Sequence, residues 1–317
     1  MIAVCRKWRG SLKKRTLPAL LALFLLSAPA PAQTVVAAVH EPFGLSVDPG
    51  GNLWVEQYND ATIDVISPTT NKVVKTIPVA PQPTQPAFFG GLAFFSSEYG
   101  NAVYAIDASA YEIRYSIAIP SPAIANVAIG PNGLGYAAAD PDKVIVFRPA
   151  DGAILGEIVT GANPRGIAFA ADGATMAVAS RGTNALDLID VAAMKVVRVA
   201  PVGASPRAAA IVGKQAFTAN YADGTVSAVD IDSGEVRATI AVGAHPRRLA
   251  ASGGRLFVSN EGSNSISIID THTNEVAETI GIGSSPRNIA VDAAGARLFV
   301  ADYEANRVLA YDIARAQ

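Results

Sequence analysis

The sequence predicts an all-β chain folded as a seven-bladed β-propeller with four antiparallel strands per blade. Three observations carry this. A short loop recurs at a nearly fixed interval. Period-two alternation of polar and apolar residues fills the intervals. The two ends of the repeat region hold complementary fractions of one unit. The clearest loop is Gly243-Ala244-His245-Pro246-Arg247-Arg248, and it returns as Gly161-Ala162-Asn163-Pro164-Arg165, Gly203-Ala204-Ser205-Pro206-Arg207 and Gly283-Ser284-Ser285-Pro286-Arg287. Weaker copies surround Pro42, Pro83 and Pro122, so the prolines are spaced by 41, 39, 42, 42, 40 and 40 residues. A period of that size marks a repeat architecture, in which each unit buries its apolar faces against its neighbours.

Within a unit the strands follow from alternation and turn chemistry. Leu249-Ala250-Ala251 is a short apolar run, Gly253-Gly254 turns the chain, and Leu256-Phe257-Val258-Ser259 follows. After the polar Asn260-Glu261-Gly262-Ser263-Asn264, the run Ser265 to Ile269 alternates, Asp270 opens a turn, and Val276 to Ile280 alternates again. β-branched enrichment and turn residues every eight to twelve positions specify strands, and no stretch keeps a 3.6-residue apolar period long enough for a helix. Asp107, Asp190, Asp230, Asp270 and Asp312 each end a third strand. A carboxylate there accepts backbone N–H groups of the next turn, so these are expected to be caps rather than acids or metal ligands.

The last unit runs from Pro286 to Tyr311 without a fourth strand, and residues 34–39 form a fourth strand without its first three. Residues 34–39 are therefore expected to complete the seventh blade, closing the ring and removing an exposed edge. Residues 33–317 read as one propeller domain and residues 1–32 as a signal peptide. The latter has six cations between Arg6 and Arg15, a 12-residue apolar run from Leu17 to Ala28, and Ala30-Pro31-Ala32 as a cleavage site. An uncleaved anchor is the alternative, disfavoured by the short run. The implied location is exported, periplasmic or secreted. Since those six cations fall among no acids, residues 33–317 carry 19 Lys and Arg against 27 Asp and Glu, a charge of −8. That field opposes nucleic acid and anionic membranes. The only cysteine is Cys5, so the mature chain has no disulfide and no thiolate ligand.

The stretches Leu256-Phe257-Val258-Ser259-Asn260 with Ser265-Ile266-Ser267-Ile268-Ile269-Asp270, and Ala216-Phe217-Thr218-Ala219-Asn220 with Thr225-Val226-Ser227-Ala228-Val229-Asp230, resemble the YVTN β-propeller repeat. Units four to seven fit it well; units one to three are degenerate. The resemblance implies the fold for essentially the whole mature chain. It leaves function open between surface-layer or periplasmic binding proteins and the propeller parts of some dehydrogenases and lactonases.

No catalytic set, metal site or cofactor is assigned. His40, His245 and His272 are the only histidines, and none falls in a ligand-spaced motif. The localised feature is cationic. Arg165, Arg207, Arg247 and Arg287 each follow a repeat proline, where they are expected to crowd one mouth of the central channel, while Phe43, Thr84 and Ala123 occupy the place in units one to three. Guanidinium forks suit carboxylate or phosphate. Equally, each could brace the adjacent blade. Tyr58, Tyr99, Tyr221 and Tyr303 lie in loops on the same face, with Glu56, Gln57 and Glu261 nearby, and Trp54, Phe88 and Phe89 are expected to fill blade cores. The first functional reading is a non-catalytic, monomeric binding propeller whose anionic small molecule or protein partner engages the arginine-lined mouth. A lactonase, lyase or dehydrogenase-associated propeller is the second reading, and single-stranded nucleic-acid binding the third.

Overall fold

The structure, a computed structural model, describes residues 33–313. The expected signal peptide, its cleavage site and Cys5 lie outside them. The described strands form seven four-stranded antiparallel sheets. Blade one comprises Pro42–Val47, Leu53–Gln57, Thr62–Ser67 and Lys72–Pro78, from the channel outward. The pattern continues to blade six, Pro246–Ser252, Arg255–Asn260, Ser265–Asp270 and Glu275–Gly281. One 3-10 turn, Glu261–Ser263, is the only helical element among the described residues.

Blade seven closes as the sequence predicts. Pro286–Val291, Arg297–Asp302 and Arg307–Asp312 are completed by Gln33–Ala38, which pairs antiparallel with the third strand. Val39 N–H donates to the Asn306 carbonyl, 3.0 Å away, just beyond that pairing. Val36 is 3% exposed and packs with Leu45, Phe299 and Val308 across the junction of blades seven and one. Val36→Asp should therefore lower stability by more than about 2 kcal/mol, because a charge would enter an apolar seam. Urea unfolding measures it, and an unchanged midpoint would show that the latch carries no load.

The apolar core is divided into seven clusters, one at each junction between neighbouring blades. The second strand of a blade is buried along nearly its whole length, as at Leu53–Gln57 and Arg255–Asn260, so each sheet has two buried faces, and each face packs against the next blade. Trp54 is fully buried in the junction of blades one and two, with Phe95 and Phe88. Phe89 departs from expectation: it is 44% exposed at the end of its strand, with its ring beside the Gly133 turn of blade three.

Two local devices shape the channel mouth. The residue before the repeat proline takes a left-handed φ in six blades, at Glu41, Gln82, Asn163, Ser205, His245 and Ser285; in blade two Pro83 forms an isolated bridge to Ser97 and the strand itself opens at Ala87. The strand register then slips after the proline, between Pro206 and Ala208, Pro246 and Arg248, and Pro286 and Asn288, for example. The residue after the proline is left unpaired by that bulge, which frees its side chain from the ladder and re-aims it. Blade three corrects the sequence reading. It has no left-handed residue before Pro122, and Ile124 rather than Pro122 opens the strand, with the slip between Ile124 and Asn126. The mouth position in blade three is thus Ala125, not Ala123.

The aspartate caps are present at Asp107, Asp190, Asp230 and Asp270. Asp107 accepts from the N–H groups of Ser109 and Ala110, and Asp190 from that of Ala193. Asp230 accepts from Asp232 and Ser233, and Asp270 from His272 and Thr273. Hydrogen bonds from the Ser233 N–H, the Arg237 side chain and the Asp232 N–H hold the Asp230 carboxyl down at about 2.

Candidate functional site

Two positions of the repeat converge on the mouth. The first is the bulged residue after the strand opening: Phe43, Thr84, Ala125, Arg165, Arg207, Arg247 and Arg287. The second is the residue just past the second strand: Tyr58, Glu98, Asp140, Arg181, Tyr221, Glu261 and Tyr303. Eight of these residues, Phe43, Thr84, Glu98, Ala125, Arg165, Arg181, Arg207 and Arg247, line a cavity of about 260 Å³, together with Tyr99 and Arg248.

The four expected arginines do not behave alike. Arg165 lies 3.3 Å from Glu98 of blade two and 3.9 Å from Asp140 of blade three. Arg247 pairs with Glu261 at 3.0 Å, and Arg287 reaches the same carboxylate from the next blade at 2.9 Å. Burial would raise Glu261, but the fields of Arg247 and Arg287 overcome it and hold the carboxyl below its ordinary value. These three arginines are braces. Arg207 has no carboxylate partner, and its buried Nε is unsatisfied. Its guanidinium lies 4.0 Å above the Tyr221 ring, which in turn stacks on His245 at 4.7 Å. Burial, then the fields of Arg247 and Arg181, pull Arg207 down to about 10, so it remains cationic at neutral pH.

Three of the four tyrosines are platforms or props. Tyr221 supports Arg207, and Tyr303 lies 3.5 Å beneath Arg287. Tyr58 stacks on Phe43 at 4.4 Å and donates to Glu98 at 2.9 Å. Burial and that carboxylate push the Tyr58 phenol well up, so it stays protonated. Tyr99 differs: it lines the cavity and is 59% exposed. Phe43 carries Arg247 and Arg287 over its ring, at 4.9 and 5.4 Å. Each such contact is worth about 0.5–2 kcal/mol, enough to hold a guanidinium plane without consuming its edge donors.

Glu56 and Gln57, expected beside the loops, are instead buried in the second strand of blade one. Glu56 is the outlier of the molecule. Both carboxyl oxygens are buried without a hydrogen-bond partner, and burial raises its pKa well above the ordinary value against the pull of Arg248. Its register partner is Gly44. Facing pairs elsewhere place a small residue opposite: Ala138 faces Asn126, Ala219 faces Ala208, Ser259 faces Arg248 and Ala301 faces Asn288. Arg248 is the group that the sequence-based candidates leave out. It lines the cavity, its buried Nε is unsatisfied, and burial and Arg247 pull it down to about 10. The available signal was the repeat register: Glu56 and Arg248 are charged where their counterparts are small or neutral.

His40 pairs with Asp60 at 2.7 Å on the surface, and His272 approaches Asp270 at 3.4 Å. Among the described residues no three His, Cys, Asp or Glu side chains gather as a metal site would require, and no helix is long and apolar enough to cross a membrane.

The family described as "Outer membrane protein assembly factor BamB" matches residues 35–316, and the chain belongs to it. No curated protein matches the sequence. Among solved structures, Kuenenia stuttgartiensis hydrazine synthase is similar over 87% of this chain and 96% of that one, with 17% identity and a TM-score of 0.77. At that identity the likeness is one of fold.

Proposed function

Starting from that family membership, we propose that this chain is an exported, monomeric, non-catalytic propeller that binds an anionic group of a small molecule or partner protein at the arginine-rich mouth of its channel. One observation carries the reading: Arg207 enters a concave site as a cation, with a buried donor unsatisfied, while Arg165, Arg247 and Arg287 are paired with acids. Buried polar atoms in native proteins are almost always paired, so an unsatisfied cationic donor in a cavity favours an anionic ligand over a purely structural role. The leader-like residues 1–32 and a family described by an outer membrane assembly factor support an exported site of action. Units four to seven further suggest a YVTN-type repeat within this fold.

The test is a pull-down from the exported fraction with the parent and with Arg207→Ala combined with Arg247→Ala. The pair should lose at least tenfold of the captured partner or ligand, while the circular dichroism spectrum is retained. Undiminished capture would defeat the reading. Added salt should weaken binding to the parent, because the attraction is between charges.

A further inference from the structure

The mouth contains six guanidiniums, those of Arg165, Arg181, Arg207, Arg247, Arg248 and Arg287, against the acids Glu98, Asp140 and Glu261. The acids are distributed unequally. Glu98 and Asp140 serve Arg165, and Glu261 serves Arg247 and Arg287. Arg181 is exposed and donates to the Ser205 hydroxyl at 3.1 Å. Arg207 and Arg248 remain, both lining one cavity and both with a buried, unsatisfied Nε.

Glu56 makes no ion pair or hydrogen bond with Arg248: both its carboxyl oxygens are buried without a partner, and burial raises its pKa well above the ordinary value. The charged groups that face this region are Arg207, Arg247, Arg248 and Glu98, and none hydrogen-bonds to Glu56. The neutral donors beside the cavity are also committed. Thr84 shares its hydroxyl with Ser96 at 2.7 Å, and Gln85 donates to the Leu45 carbonyl at 3.0 Å. The buried donors left to a ligand are therefore those of the two inner arginines, while the exposed Tyr99 and Arg181 line the same cavity. The Tyr221 platform covers one face of the Arg207 guanidinium and leaves its edge available.

We infer that Arg207 and Arg248, from neighbouring blades, form a clamp for a doubly charged phosphate group, either inorganic phosphate or a phosphate monoester. This rests on the reading of the mouth as an anion site and names its ligand class. Two unneutralised guanidiniums match a dianion, whereas a single carboxylate leaves one of them uncompensated. The phosphate oxygens can accept from both forks at once. At about 260 Å³ the cavity is smaller than the roughly 300–1,000 Å³ of sites that enclose drug-sized ligands, so it suits a compact group.

Isothermal titration calorimetry at neutral pH tests the clamp with inorganic phosphate, glycerol 3-phosphate, dimethyl phosphate and acetate. The parent protein should bind the first two at least tenfold more tightly than singly charged dimethyl phosphate or acetate. That comparison needs no variant. Arg207→Gln and Arg248→Gln should each weaken phosphate binding at least tenfold, with folding checked by circular dichroism, and Arg248→Lys should keep part of it. Tighter binding of glycerol 3-phosphate than of phosphate assigns the site to a monoester; the reverse assigns it to the free ion. Equal affinity for phosphate and acetate, or phosphate affinity untouched by both glutamine variants, would overturn the inference. Capture of a partner through Arg207 and Arg247 without any phosphate binding would overturn it too, yet leave the broader reading of the mouth standing.

Discussion

Gly166→Ala is expected to destabilise the ring by about 3 kcal/mol, at the upper end for overpacking a well-packed site. A Cβ at Gly166 would lie 2.5 Å from the Ala209 nitrogen and 2.6 Å from the Ala208 Cα. Both atoms are backbone of the inner strand of blade five, so neither can swing aside as a side-chain tip could. The adjacent inner strands must approach closely around a narrow channel, and blade four meets that demand by having no side chain. Gly281 supplies the comparison: it lies at the end of an outer strand, and a Cβ there meets nothing within 4 Å. Gly281→Ala should stay within about 0.5 kcal/mol of the parent. Urea midpoints of the two variants, measured side by side, decide it. Equal midpoints would mean that the inter-blade backbone contact is soft.

Glu56→Gln is expected to stabilise the protein at neutral and alkaline pH while having little effect in acid. The cause is burial, which raises the folded pKa of Glu56 well above its ordinary 4.5, and the field of Arg248 offsets only part of it. Below the ordinary value, the folded and unfolded chains both hold the proton, and Glu56 imposes no ionic penalty. As pH rises, the unfolded chain releases the proton while the folded chain keeps it. Unfolding is then favoured by up to about 1.4 kcal/mol per pH unit until the folded pKa is passed. A glutamine has no proton to release. The difference in unfolding free energy between variant and parent should therefore open upward from about pH 4.5 and level off above the folded pKa. Parallel stability curves across that range would show that Glu56 ionises in the fold and that Arg248 is its partner. In that case Arg248 would also be unavailable to an anion.

The architecture was legible because its determinants are local. Period-two alternation specifies strands, turn residues specify their ends, and a proline every forty residues counts blades without reference to any distant contact. Even the closing strand could be read, since residues 34–39 match the fourth strand missing after Tyr311. Two loops depart from the pattern, at Pro83 and Pro122, for a local reason: a proline looks the same in sequence whether it opens the strand or precedes it by a few residues. At Pro122 the backbone differs as well, with a left-handed residue before Pro246 and none before Pro122.

The site was legible only in part. That arginines would gather at the mouth followed from their place after the repeat proline. Which of them are neutralised did not follow, because Arg165 meets Glu98 across 67 residues and Arg287 meets Glu261 across 26. The tyrosines had the right face and the wrong role, since three of them support or anchor mouth residues. The sequence places Glu56 only beside the loops and Arg248 only at the end of the repeat loop; that Glu56 is buried and that Arg248 lines the cavity depend on the neighbouring strands.

The sequence by itself thus determined the number of blades, the order of strands, the closure of the ring and the crowding of positive charge at one end of the channel. Only the tertiary structure decided that Arg165, Arg247 and Arg287 pair with acids, that Arg207 and Arg248 form no ion pair and each leave a buried Nε unsatisfied, and that Glu56 is a buried acid near Arg248. The reason is one of range. Strand propensity and turn chemistry act between residues close along the chain. Ion pairing and desolvation depend on which side chains the closed ring brings within a few ångströms, whatever their separation in sequence.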